Sequence, residues 1–268
     1  MSLILNNELV NLLNLIGKNN KLLNDYFGKS IKVIESGKLV GIRGGGDSRS
    51  LIINSGEIFE AILVGAGGTG SGGTLDSTST GGGGGAVVHF KIYKPPSICY
   101  ISLHPGDNLD PNGSDANIDF FQNFHIDIYA TKGDNGNHAG IPSEGGKFII
   151  KLTYFINDPP YYIYSSSPHL EILQKYPSVK IMKAIRGGRG GTWTTPAESV
   201  YDVIHLINRD FKFYSQGGNF RGGGASLFGE GGLVSSNGLD FGGGGGAAWN
   251  LGAQGGTGVI IYIKYIEV

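Results

Sequence analysis

Cysteine, charge and long apolar runs are all scarce in this chain, and each scarcity removes a class of protein. There is one cysteine, Cys99, so a disulfide framework within the chain is excluded and a cysteine-based zinc site cannot be written. Its place in an alternating apolar run reads as a small core residue. Charged residues make up 16% and the net charge is −1, which lacks the basic footprint that a nucleic-acid partner requires. No run of about 18 apolar residues occurs, so no membrane insertion is expected. The N-terminus shows no basic region, apolar stretch and cleavage site in succession, and synthesis in a cytoplasm without a signal peptide is the expectation. Ten prolines and no Gly-X-Y period exclude collagen.

Glycine is what the chain has instead, 48 residues of it, far above the usual share of about 7%. With 40% hydrophobic residues, 13 Tyr and 13 Phe beside it, the composition demands a packed core rather than a solvated coil. The organising stretch is Glu60-Ala-Ile-Leu-Val-Gly-Ala-Gly-Gly-Thr-Gly-Ser-Gly-Gly73, followed by Gly81 to Gly85 and the strand-like Ala86-Val-Val-His-Phe-Lys-Ile-Tyr93. Gly65-x-Gly67-x-x-Gly70 after Ile62-Leu-Val64 matches the dinucleotide fingerprint in letters. That fingerprint needs a helix at its third glycine and an acid about 20 residues on, and residues 70–88 offer neither. A Walker loop ending in Gly28-Lys29-Ser30 fails because Leu23 stands where the first glycine belongs.

The strand-to-glycine plan recurs along the chain. Phe124 to Ala130 runs into glycines 133–146 and out to Phe148-Ile-Ile-Lys-Leu-Thr-Tyr-Phe155. Val179 to Ile185 enters Arg186-Gly-Gly-Arg-Gly-Gly191, and Phe211 to Tyr214 enters Gly217 to Gly224. Gly242 to Gly246 and Gly255-Gly-Thr-Gly258 deliver a final strand, Val259 to Tyr265. Ordering glycine backbone is costly, at the high end of about 1–2 kcal/mol per residue. Side-by-side packing as extended three-per-turn helices offsets that cost, because such backbones have no internal hydrogen bonds and bond to neighbours on every side. Upstream, Leu5, Leu9, Leu12, Ile16, Asn19, Leu23 and Tyr26 step by fours and threes, predicting a helix over 3–27. This narrow seam suits oligomerisation through Leu5, Leu9, Leu12, Ile16 and Leu23, or packing on the chain's own domain. From Ile31 to Ile58 short runs separated by Ser36-Gly37, Gly44-Gly45-Gly46-Asp47 and Ser55-Gly56 predict a small antiparallel meander.

No catalytic constellation stands out, and an enzyme is not expected. The six histidines have no ligand spacing and no Gly-x-Ser-x-Gly elbow is present. Asp107, Asp110, Asn112, Asp115 and Asp119 form an acidic loop, but Asp115 stands where a calcium loop needs glycine, so no metal and no cofactor is expected. What remains is aromatic and polar residues on turns. Tyr161 and Tyr162 in a Pro-Pro-Tyr-Tyr corner, Trp193, Phe220, Arg221, Trp249 and His138 are the candidate binding residues, because loops on a rigid scaffold are where recognition concentrates.

The Ala61 to Gly73 run, the Gly81–Gly85 tract leading into Ala86-Val-Val, the His104-Pro-Gly-Asp107 turn and the ending Gly255 to Tyr265 together resemble the glycine-rich domains of viral fibre and virion-surface proteins. These occur in phage tail fibres and in large DNA viruses; the tip adhesins of T-even-like phages are a more distant likeness. The resemblance covers residues 58–265. It implies a virion protein that recognises a host-surface glycan or protein through loops held on polyglycine helices, or a structural component that binds other virion proteins. Fibres are commonly threefold, so a homotrimer is the implied assembly. The expected architecture is mainly β, with antiparallel sandwich-like sheets, packed polyglycine II-type segments and an N-terminal helix. The expected divisions are an assembly helix over 1–30, a meander over 31–57 and a glycine-rich β domain over 58–268.

Overall fold

A computed structural model describes residues 7–41, 48–106, 115–121, 125–153, 178–239 and 241–268. Strands account for 39% of it and helix for 6%. Two helices, α1 (Asn7–Leu15) and α2 (Asn20–Phe27), precede β1 (Ile31–Val40), β2 (Arg49–Ile53), β3 (Ile58–Val64), β4 (Val87–Tyr93), β5 (Cys99–His104) and β6 (Ala116–Phe121). Then come β7 (His125–Ala130), β8 (Phe148–Thr153), β9 (Val179–Ile185), β10 (Val200–Leu206), β11 (Arg209–Ser215) and β12 (Val259–Glu267). One antiparallel sheet has the order β1-β12-β3-β4-β9, a second β2-β5-β6-β7-β8, and β10-β11 is a hairpin.

The two five-stranded sheets face each other across one core. Phe59, Ala61 and Leu63 of β3, Val88, Phe90 and Ile92 of β4, and Ile260 and Tyr262 of β12 meet Ile101, Leu103, Ile118, Ile126 and Ile128 of the second sheet. The alternate residues of the first sheet, Ile58, Ile62, Val64, Ile261, Ile263 and Tyr265, form a second core with Leu12, Ile16, Leu23 and Phe27 of the helices. The hairpin joins that core through Val200, Ile204, Leu206, Phe211 and Phe213. The first sheet is thus covered on both faces, which is why β3 is buried at every position and reads as an unbroken apolar run. On β5, facing solvent on one side, burial alternates and Tyr100 is exposed.

Several expectations change here. The helix over 3–27 is two helices, broken at Gly17, whose φ of +75° disfavours a side chain. Asn19, placed on a coiled-coil seam, is instead the N-cap of α2, its side chain accepting from the Leu22 N–H at 3.1 Å. Leu12, Ile16 and Leu23, expected on an oligomerisation seam, are buried in the chain's own second core. Leu5 lies outside the described residues, and for Leu9 only the backbone is described.

Residues 31–57 are not a meander, because β1 lies at the edge of the first sheet against β12 and β2 at the edge of the second against β5. Ser36-Gly37 is not a turn either. β1 runs straight through it, and Gly37 sits opposite Tyr262 where a Cβ would fall 2.4 Å from the tyrosine ring. Glycine there lets Tyr262 lie across β1 and stack on Phe59, with ring centroids 5.8 Å apart. Ser55-Gly56 is a turn, with Gly56 at φ +85°. Gly44 to Gly46 and most of the acidic loop fall outside the described residues.

Candidate functional site

The glycine tracts form one bundle at one end of the sandwich. Six segments run away from the sheets, residues 65–71, 131–137, 186–191, 216–219, 230–233 and 242–248, and six run back, residues 81–86, 143–147, 197–199, 222–225, 236–239 and 252–258. Residues 81–86 sit in the middle. Gly81 and Gly84 donate to the carbonyls of Gly191 and Gly188; Gly82 and Gly85 to those of Gly245 and Gly242; Gly83 and Ala86 to those of Asp134 and Thr131. In return the Gly82, Gly83 and Gly84 carbonyls accept from the N–H groups of Gly224, Gly68 and Gly146 at 2.8 Å. Partners that change at each residue and return every third define three residues per turn and six neighbours, the packing of polyglycine II helices.

Residues 242–248 repeat the arrangement. Gly244 and Ala247 donate to Gly224 and Arg221, Gly245 and Ala248 to Gly68 and Ser71, and Gly246 to Ser236. A Cβ added at Gly81, Gly84, Gly223 or Gly252 would lie 1.7–2.0 Å from a neighbour's carbonyl oxygen. Gly65, Gly67, Gly68 and Gly70, which spelled the dinucleotide fingerprint, spend their N–H groups on Ala86, Gly256, Gly83 and Ala253. None of the four is left to hold a phosphate.

The bundle's far end consists of six loops, 72–80, 138–142, 192–196, 219–221, 234–235 and 249–251, with Leu233 at the lip of the fifth. They are tied to one another through backbone. Gly73 and Asn250 exchange both bonds, Gly140 donates to Thr78, Thr80 to Asn137, Arg221 to Thr192 and Ser235 to Ala247. On this fixed end five of the six loops present a large apolar side chain at least half exposed: Ile141, Trp193, Phe220, Leu233 and the pair Trp249 and Leu251. Among the described residues formal charge is nearly absent there, amounting to Asp76 and Arg221.

The structure sorts the predicted site residues into two adjoining groups on this tip. The Arg221 guanidinium lies 3.8 Å from the Trp193 ring centroid, and Phe220 beside it bridges to Pro196. Arg221 holds φ at +57°, and its Nε is buried with no hydrogen-bond partner among the described residues. The second group is built on His138, whose Nε2 donates to the Gly72 carbonyl while its Nδ1 lies 3.4 Å from Ser79 Oγ. Asp76 stands 3.9 Å from the same ring. Gly73 pairs with Asn250 beside Trp249, so His138 and Trp249 flank one backbone junction. Tyr161 and Tyr162 lie outside the described residues. Ile141, Leu233 and Leu251 were missed in the sequence; the available signal was a lone apolar residue among Gly, Asn and Ser at a point where two glycine tracts meet.

A polar cluster inside the second core was also missed. Glu60, flanked on β3 by Ile58 and Ile62 of the same face, accepts from Tyr265 Oη at 2.7 Å and from Lys91 Nζ at 2.8 Å on Oε1. Its Oε2 accepts from the Ile207 N–H at 3.1 Å and lies 3.4 Å from His89 Nε2. Burial alone would raise the Glu60 pKa, but the bonds from His89, Lys91 and Tyr265 and the Lys91 charge outweigh it and hold the carboxyl at about 2. Burial, then Glu60 itself, pushes the Tyr265 hydroxyl far above its usual range. A phenol held so firmly protonated is a donor rather than a base, so the cluster acts as a strut fastening the hairpin turn at Ile207 to the sheet. Cys99 is a buried core thiol, raised to about 11 by burial. No group of three or more metal-ligating side chains occurs among the described residues.

The molecule is thus a mainly β protein whose two sheets carry a bundle of polyglycine II-type helices ending in an apolar, loop-built tip. Compared with protein-family models and with curated proteins, the chain matches none.

Proposed function

We propose that this chain is a non-enzymatic recognition protein of a virion surface, a fibre or receptor-binding component that attaches to a host-surface glycan or protein through the loops at the bundle's far end. One observation carries the reading. Five loops from separate parts of the chain each expose a large apolar side chain on a backbone that hydrogen bonds have already fixed. Aromatic and aliphatic side chains left in water on a rigid support are characteristic of a docking surface, because little ordering entropy remains to be lost on contact. The Trp193–Arg221 stack supplies the aromatic and guanidinium pairing that dominates many interface energies.

Binding of fluorescently labelled full-length protein to a panel of bacterial and amoebal cells, with a glycan array beside it, tests this. Selective, saturable adherence supports the reading. Absence of adherence across the panel overturns attachment and leaves the alternative from the same resemblance, a structural component that binds other virion proteins.

A further inference from the structure

The rim of the glycine bundle holds an open lattice position. A cavity of about 660 Å³ lies along the flank between residues 216–219 and 230–239, from Gln216 and Glu230 near the sheets to Asn219 and Leu233 near the tip. In the bundle's interior each tract spends its amides and carbonyls on neighbours. Along this groove they remain unspent: the carbonyls of Gly217 and Gly231 and the N–H groups of Asn219, Leu233 and Asn237 have no partner among the described residues. Donors and acceptors thus stand along both walls, as they do on the open edge of a β-sheet, where an added strand completes the ladder.

We propose that this groove binds a glycine-rich extended segment of another polypeptide, laid in as one more three-per-turn helix of the bundle. The walls include Gly217, Gly218, Gly231 and Gly232, which carry no side chain to hold a guest backbone away. The same packing excludes side chains from the guest. Within the bundle a Cβ at tightly packed positions such as Gly223, Gly231 and Gly244 falls 1.7–2.2 Å from backbone, so a guest at lattice spacing needs glycine wherever it faces a wall. Charge adds direction. Glu230 is the one ionisable side chain lining the groove, and no ion pair is made by it among the described residues, so a lysine at the sheet-side end of the segment is favoured. Residues 216–219 at about 3.1 Å per residue give a groove of about 12 Å, room for about four guest residues. A neutral oligosaccharide is the competing occupant for a cavity of this volume, but among the described residues no aromatic side chain lines the groove for a sugar ring to stack on.

The test is an amide NMR titration of the full chain with three probes: the peptide Lys-Gly-Gly-Gly-Gly-Gly-amide, the peptide Lys-Ala-Ala-Ala-Ala-Ala-amide, and cellotriose. The expected result is saturable shifts of the Gly217, Asn219, Gly231 and Asn237 amides with the glycine peptide and at least tenfold weaker binding of the alanine peptide. Cellotriose should give no shift. Leu239→Trp and Ser236→Trp, at exposed positions that overhang the groove, should abolish the glycine-peptide shifts at unchanged Tm, and Glu230→Gln should weaken binding several-fold. Equal binding of the alanine peptide, shifts with cellotriose, or no shifts from the glycine peptide at 10 mM would each overturn the proposal. The three-probe comparison needs only the unmutated chain, so a variant that fails to fold leaves the decision intact. Leu233 borders both the groove and the tip, so tip-mediated attachment is judged at Trp193, Phe220, Trp249 and His138, none of which lines the groove.

Discussion

At Gly223 an added methyl carbon would lie 1.8 Å from the Gly244 carbonyl oxygen, with the Gly244 carbon and Gly245 nitrogen also inside 3 Å. Backbone cannot swing aside as a flexible side chain can, so the two tracts must part and lose the Gly244-to-Gly224 bond between them. Gly223→Ala should therefore cost about 3 kcal/mol or more. Gly56 is the contrast: its Cβ would meet nothing within 4 Å, and only its φ of +85° resists substitution. Gly56→Ala should cost about 1 kcal/mol and Gly56→Asn less, since asparagine tolerates that conformation. Thermal denaturation of the three variants checks the ordering. Equal losses at Gly223 and Gly56 would mean that backbone conformation, not packing, selects glycine in the tracts.

Glu60 makes a second residue-scale prediction. Its folded pKa of about 2 lies below its ordinary 4.5, so it contributes stability that is complete above pH 4.5 and is lost as the pH falls toward 2. The depression of about 2.5 pH units corresponds to about 3 kcal/mol. Glu60→Gln should remove most of this at neutral pH, leaving Lys91 unpaired beneath the hairpin, and should flatten the acid limb of stability against pH. Denaturant titrations at pH 7, 4 and 2.5 on both proteins measure it. Parallel curves for the two would show that other carboxylates carry the acid sensitivity.

Among the elements, the glycine tracts were the most legible in the sequence and the helices the least. A run such as Gly81 to Gly85 between apolar strands announces close backbone packing, because few side chains fit among six neighbours. Which neighbours those are is not written locally: Gly81 bonds to Gly191 and Gly82 to Gly245, contacts set by the order in which twelve segments fold back. The same limit misplaced Gly37, a turn residue by local rules that is a strand residue because Tyr262 needs the space. It also left the first helices undecided, since an apolar stripe through Leu12, Ile16 and Leu23 looks the same whether it meets a second copy or the back of one's own sheet. The tip side chains were legible where they were aromatic, as at Trp193 and Trp249. Where they were single aliphatic residues, as at Ile141 and Leu251, nothing marked them. Because the stripe meets its own sheet, Leu23→Ala should lower stability by about 2–5 kcal/mol, as large-to-small changes in a core do. Chemical denaturation at two protein concentrations tenfold apart tests it. A loss that depends on concentration would return Leu23 to an interface between chains.

At the scale of the molecule, buried and exposed apolar side chains are divided between the two ends. The sheets, the helices and the hairpin enclose both cores, while the bundle projects from one edge and is held by backbone hydrogen bonds with few apolar side chains of its own. Its charges reinforce it on the outside only. Arg186 and Arg189, three apart and so on one face of a three-per-turn helix, reach Glu144 at 3.2 and 3.1 Å and Glu198 at 2.8 and 4.0 Å. These pairs are exposed and add well under 1 kcal/mol each. A tip fixed in this way gains little in stability from Phe220 or Trp249, whose side chains are more than half exposed to water. Replacing each by alanine should change stability by no more than about 0.5 kcal/mol, whereas each should weaken adherence to a responsive cell at least tenfold if the tip is the contact surface. Arg221→Ala and Trp193→Ala differ in kind. Each removes one partner of the Arg221–Trp193 stack, the first at a residue in a left-handed conformation, so each should weaken both adherence and thermal stability. Measuring adherence and Tm together on the four variants separates the roles. Adherence that follows Tm across all four would mean that the aromatics hold the loops, and adherence lost at constant Tm for Phe220 and Trp249 would mean that they touch the partner.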